Sequence, residues 1–297
     1  MKRSFDATTN SGTIHFLLSI RSTQEMNVRV LCKSHPFSRH RRRLRSCLQT
    51  PYVGLILSVS YYMWCEGMSV RKIEFEASEL LRRIWRDRFQ LWSDRDITPL
   101  EVRSPRMAAL VCGFDFHELP NLGDPKFIQR GVGPKIAGLI DRQSNRIAIS
   151  QEFSPTVQLF TGAHEIGHLV LHTGEIMHRD RAMDGRPLGG QRTPEEREAD
   201  FFAACFLMPA KLVIEFFKKQ FLCGEQLHFD DTVAYHVDAH NIENLLYAPQ
   251  DSLERELALA RCQRFNGVRI VSLAQQFGVS DFSMALRLKE LGLVRWP

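Results

Sequence analysis

Apolar residues recur at three- and four-residue intervals between positions 71 and 92. Phe75, Ala77, Leu80, Leu81, Ile84 and Trp85 form the stripe, with Arg82, Arg83 and Arg86 among the polar positions, which predicts an amphipathic helix. Residues 99–113 predict a second helix, stopped by Gly113, and residues 114–119 a strand. Residues 135–150 read as a hairpin: an apolar run over 136–140, a turn through 141–145, then the alternation of Ile147 and Ile149. Ser154-Pro155 sets a capping residue before a proline, as at many helix starts, and predicts a helix to about His172, where Thr173-Gly174 supplies a stop. A Gly/Pro-rich loop covers 183–194. Pro194 then opens the helix EEREADFFAACFLM, and Pro209 ends it or starts another. The pattern weakens over 220–267. Residues 273–294 read helix, tight turn, helix.

Composition narrows the class without naming it. The 297 residues are 44% apolar and 25% charged, which argues against global disorder, collagen-like sequence or a coiled coil. The length suits roughly one to three domains. The formal charge of +5 is uneven, because residues 1–67 hold ten basic against three acidic side chains, a net +7 that leaves −2 for the rest. This first segment mixes Ser/Thr, Arg (RHRRRLR, 39–45) and aromatic patches without sustained periodicity. It fits a basic arm for nucleic acid or anionic lipid. The favoured readings are plainer: a disordered extension, or translation begun upstream of a true start at Met68, directly before helical sequence. Seven scattered cysteines (Cys32, Cys47, Cys65, Cys112, Cys205, Cys223, Cys262) show no C-x-x-C pair, which suits a reducing cytoplasm rather than a disulfide framework. The apolar stretch 52–65 has 14 residues where a bilayer span needs about 20, so no membrane anchor is expected.

His164-Glu165-Ile166-Gly167-His168 is H-E-x-x-H, inside a predicted helix. Spacing i, i+4 stacks both imidazoles on one face, so two nitrogens can reach one metal ion, and zinc is the default for such a set. Glu165, beside the first histidine, is the candidate general base toward a water acidified by the metal to a pKa of about 7. His172 continues the row but lies a full turn further on, and the G-x-x-H extension that would bring a third histidine back is absent. Glu196 and Asp200 are themselves i, i+4 on the next helix. Glu196 is the expected third ligand and Asp200 the acceptor that orients a ligand histidine. Glu195 and Glu198 are expected to be solvated, while Ala199, Ala203 and Ala204 are small enough for close helix approach.

FTGAHEIGHLVLH (160–172) followed by EREADFFAACFLMP (196–209) resembles the ImmA/IrrE family of zinc metallopeptidase-like regulators. That signature runs FT-x-AHE-x-GH-x-x-x-H, then E-x-x-A-[ND]-x-FA-x-x-LL-MP. Cys205-Phe206 and Gly162 depart from it without touching the expected ligands, and residues 220–267 look like an insertion. The resemblance implies an α+β, zincin-like domain of the gluzincin kind, holding one Zn2+ per chain. It also implies an anti-repressor that cleaves or inactivates a helix-turn-helix transcriptional repressor, often on mobile elements. By the layout of zincins, residues 146–150 would pair with substrate backbone. Tyr235, His236 and His240 are candidates for oxyanion stabilisation.

Residues 272–294 have helix-turn-helix form, with Gly278-Val279 as the turn and Ser280 as a cap. Four basic against two acidic side chains over 268–297 make a thin footprint for phosphate contacts, so packing on the peptidase domain or gripping a repressor is favoured over DNA recognition. The expected organisation is an extension over 1–67, a zincin-like domain over 68–222 and a helical region over 223–297. The competing reading is a non-proteolytic DNA- or repressor-binding regulator with a structural zinc site.

Overall fold

The computed structural model describes residues 69–122, 136–173 and 193–295, together with the backbones of strands β1 (Lys2–Thr9), β2 (Gly12–Arg21), β3 (Glu25–Leu31) and β7 (His178–Arg181). The stretch 52–65, most of the loop 183–194 and Cys32, Cys47 and Cys65 lie outside the described residues. The chain divides into two compact units, Met1–Gln49 and Thr50–Pro297. In the first, β1, β2 and β3 pair antiparallel in that order. The mixed residue pattern of this segment does not predict these strands.

The second unit is α+β. Helix α1 (Val70–Arg86) starts at Ser69, whose side chain accepts from Lys72 N–H. Its buried stripe is Ile73, Ala77, Leu80 and Ile84, spaced four, three and four residues apart. Phe75 and Trp85 lie off that stripe and are exposed, Phe75 beside the Arg82 guanidinium and Trp85 beside that of Arg88 in the short helix α2 (Arg88–Leu91). The single helix expected over 99–113 is instead a 3-10 turn at Glu101–Arg103 and helix α3 (Pro105–Val111). Ser104 is extended before Pro105, which disfavours helical geometry in its predecessor. Gly113 stops the run at φ +82°.

Strands β4 (Asp115–Leu119), β5 (Ile136–Asp141), β6 (Arg146–Ser150) and β7 form one sheet in the order β4-β6-β5-β7. The β5–β6 hairpin is antiparallel, β4 runs parallel to β6, and β7 antiparallel to β5. Residues 146–150 were expected to pair with substrate backbone, but β6 is hydrogen-bonded on both sides, so among the described strands the edges of this sheet are β4 and β7.

Helix α4 (Pro155–Leu171) lies on β5 and β6, and α5 (Pro194–Leu207) packs along both α4 and α1. The approach of α4 to α5 is close because Gly167 faces Ala199: a β-carbon at 167 would lie 3.0 Å from Ala199 Cα and from its carbonyl oxygen. Gly162 is likewise enclosed by Pro105 and Phe116. After Pro209 a new helix begins, α6 (Ala210–Phe221).

The weakly patterned stretch 220–267 folds as short pieces: β8 (Leu227–His228), α7 (Asp231–Val237), α8 (Ile242–Leu246), α9 (Glu254–Ala260) and β9 (Arg264–Phe265), with β10 (Val268–Arg269) completing a hairpin through Asn266-Gly267. Helices α10 (Leu273–Phe277) and α11 (Asp281–Glu290) follow, joined through Gly278 at φ +66°, before β11 (Val294–Arg295) pairs with β8. Ser272 and Gln275 form a reciprocal capping box on α10. Helix α11 buries Ser283, Met284, Ala285, Arg287 and Leu288. Arg287 Nε donates to Met208 O at 3.0 Å, and Arg103 Nη1 donates to the carbonyls of Leu207 and Phe277. Two buried guanidinium groups thereby satisfy carbonyls at the C-terminal end of α5 that the helix itself leaves without partners. Burial pushes the Arg103 pKa down to about 10.

Candidate metal centre

Helix α4 is buried continuously from Phe160 to His168, so its polar residues face protein rather than water. Such groups are costly without partners. His164 Nδ1 lies 2.9 Å from Asp200 Oδ1. His168 Nδ1 lies 3.1 Å from His172 Nδ1. With Nδ1 engaged on each ring, the two Nε2 atoms face one another at 3.0 Å, and the Glu196 carboxylate stands 3.5 Å from each. His164, His168 and Glu196 thus offer ligand atoms all within 4.8 Å of one another, the one such metal-holding group among the described residues. Two imidazole lone pairs and a carboxylate aimed at one point suit a cation, and two nitrogens with an oxygen suit zinc. Burial pushes the Glu196 pKa up, but hydrogen bonding and charge from His164 and His168 outweigh it and hold the carboxyl well below the usual range.

Glu165 is fully buried one residue from His164. Its carboxylate packs against Gly138 of β5, where a β-carbon would come within 2.3 Å of Oε1. Asp200 sits behind His164, on the face opposite the triad. Thr193, the cap of α5, accepts from Glu196 N–H and so fixes the turn that presents the carboxylate.

Glu198 departs from expectation. It is 6% exposed rather than solvated, and its Oε2 lies 3.0 Å from His172 Nε2. The crossing of α5 over the end of α4 brings it there, a tertiary effect that helical spacing alone does not encode. Arg142, in the β5–β6 turn, also escaped sequence reasoning. Its guanidinium donates to the carbonyls of His168 and His172 at the end of α4. Tyr235 is exposed, His236 packs edge-on against Phe265, and His240 N–H donates to Asp238.

No helix among the described residues is long and apolar enough to cross a membrane. Among curated proteins, none matches this chain. Residues 133–237 match the family model described as Peptidase_M78, IrrE N-terminal-like domain. The matched segment contains the β5–β6 hairpin, α4, α5 and every residue of the triad. Residues 133–237 are therefore similar to the IrrE N-terminal-like domain of Peptidase_M78, in accord with the ImmA/IrrE resemblance of the two motifs they contain.

Proposed function

We propose that this protein is a zinc-dependent metalloendopeptidase of the anti-repressor kind, which cleaves or inactivates a helix-turn-helix transcriptional repressor. The observation that carries the reading is the convergence of His164, His168 and Glu196 beside the buried carboxylate of Glu165. Zinc at such a set supplies Lewis acidity, polarising a carbonyl and acidifying water.

The remaining work falls to the chain's own groups. His164 and His168 present Nε2 and keep Nδ1 toward protein partners, which fixes both rings. Glu196 adds the third donor and one negative charge. Glu165 accepts a proton from the attacking water and returns it to the departing amine, as a general base and then a general acid. The direct experiment is incubation of the zinc-loaded protein with the helix-turn-helix repressor encoded nearest to it, with products read by mass spectrometry. Cleavage should depend on zinc, and Glu165→Gln should keep zinc and abolish it. Cleavage by metal-loaded Glu165→Gln at the parent rate would overturn the mechanism.

A further inference from the structure

The two histidines of the triad are held from behind in different ways. His164 meets a carboxylate directly, Asp200 Oδ1 at 2.9 Å. His168 meets another imidazole, His172 Nδ1 at 3.1 Å, and that ring's Nε2 in turn lies 3.0 Å from Glu198 Oε2. With one proton on each ring, a single arrangement satisfies both contacts. His168 carries its proton on Nδ1 and donates it to His172 Nδ1, while His172 carries its own on Nε2 and donates it to Glu198. Any other placement sets two N–H groups together, or turns a lone pair toward another acceptor. The same arrangement leaves the His168 Nε2 lone pair facing His164 and Glu196.

His172 is itself fixed by contacts unrelated to its ring. It ends α4 with extended backbone, φ −118° and ψ 136°. Its N–H donates to His168 O at 3.2 Å. Arg142 reaches over from the β5–β6 turn and donates to the carbonyls of both His168 and His172. The far end of the chain is equally confined, since Glu198 lies on α5, two residues from Glu196 and two from Asp200, and is buried.

We propose that Glu198 and His172 form a positioning relay for His168, the counterpart of the direct Asp200–His164 contact. This rests on the metal reading of the triad advanced above. Helix α5 then serves the centre three times: Glu196 faces the ion, Asp200 orients one histidine, and Glu198 orients the other through His172. Neither relay residue touches substrate or metal. Its effect is on ring orientation, tautomer and ligand basicity, for which supporting groups of this kind change metal affinity about 10- to 100-fold.

Glu198→Gln and His172→Phe test the relay, the first keeping volume and an oxygen acceptor, the second keeping ring bulk. Zinc affinity is read by competition with a chromophoric chelator, and site geometry by the visible ligand-field bands of the Co2+-substituted protein. Both variants should bind zinc about 10- to 100-fold more weakly than the parent, with altered cobalt bands, while circular dichroism retains the parent fold. Folded variants with parental zinc affinity and cobalt bands overturn the relay and leave the metallopeptidase reading standing. A parent that binds no zinc at His164, His168 and Glu196 overturns both. A measurement on the unmutated protein covers the case in which the substitutions prevent folding. Long-range 1H–15N spectra should show His172 protonated on Nε2, and protonation on Nδ1 overturns the relay.

Discussion

Gly138 on strand β5 and Glu165 on helix α4 are in such close contact that one added β-carbon would lie 2.3 Å from Glu165 Oε1. The strand contributes no side chain here, and the expected general base and the Thr161 methyl fill the space. Gly138→Ala should therefore push the carboxylate away while leaving His164, His168 and Glu196 in place. A displacement of about 1 Å costs on the order of 100-fold in rate. Kinetics on the cognate repressor should show a loss of that size, with zinc content by atomic absorption unchanged.

Zinc and fold stability should be coupled. The facing Nε2 atoms of His164 and His168, 3.0 Å apart, repel as two lone pairs unless a proton or a cation lies between them, and a cation would also meet Glu196. Binding to the native state alone adds about 2.7 kcal/mol when free zinc is 100 times the dissociation constant. A strong chelator should lower the melting temperature by several degrees. In Glu196→Ala the zinc-dependent part of that difference should largely vanish, and an undiminished shift would remove Glu196 from the ligand set.

Gly167 should be intolerant of branched side chains. Its α-carbon faces the backbone of Ala199, where even a β-carbon is at 3.0 Å. Gly167→Val should drive α4 and α5 apart at a cost of about 1–3 kcal/mol, seen as a lower urea midpoint. Zinc affinity should fall with it, because Glu196 rides on α5 and both histidines on α4.

Arg287→Met keeps the bulk of the buried side chain but loses the donor to Met208 O and the pair with Glu290. Leaving the buried carbonyl without its partner should cost about 1–3 kcal/mol. Hydrogen exchange should quicken first at the C-terminal turn of α5, and exchange unchanged there would show that the contact carries little.

Much of the centre is legible from local sequence because its geometry is local. His164 and His168 are one helical turn apart, as are Glu196 and Asp200, so each helix presents its pair whatever the remainder does. The hairpin at β5–β6 and the proline-led starts of α4 and α5 are similarly short-range. Glu198 and Arg142 are different, since their partners lie 26 residues or more away and depend on how α5 and the β5–β6 turn meet the end of α4. Sheet order is non-local too, which is why β6 could be taken for an edge although β4 closes its other side. In α1 the periodicity and the face were right for Ala77, Leu80 and Ile84, but the stripe was drawn too wide: Phe75 and Trp85 satisfy helical spacing yet face water, where neighbouring arginines cover them. Over 220–267 no element exceeds seven residues after α6 ends, too few for any period to show.

The clamp on α5 has a bearing on how such a protein can be inherited. The family match spans 133–237, yet the carbonyl end of α5 is gripped by Arg103 before that interval and Arg287 after it. Recombination that transplanted the matched interval alone would carry every ligand and leave both clasps behind. The smallest portable unit is therefore set by two arginines 184 positions apart in sequence, not by the boundaries of the recognisable motif.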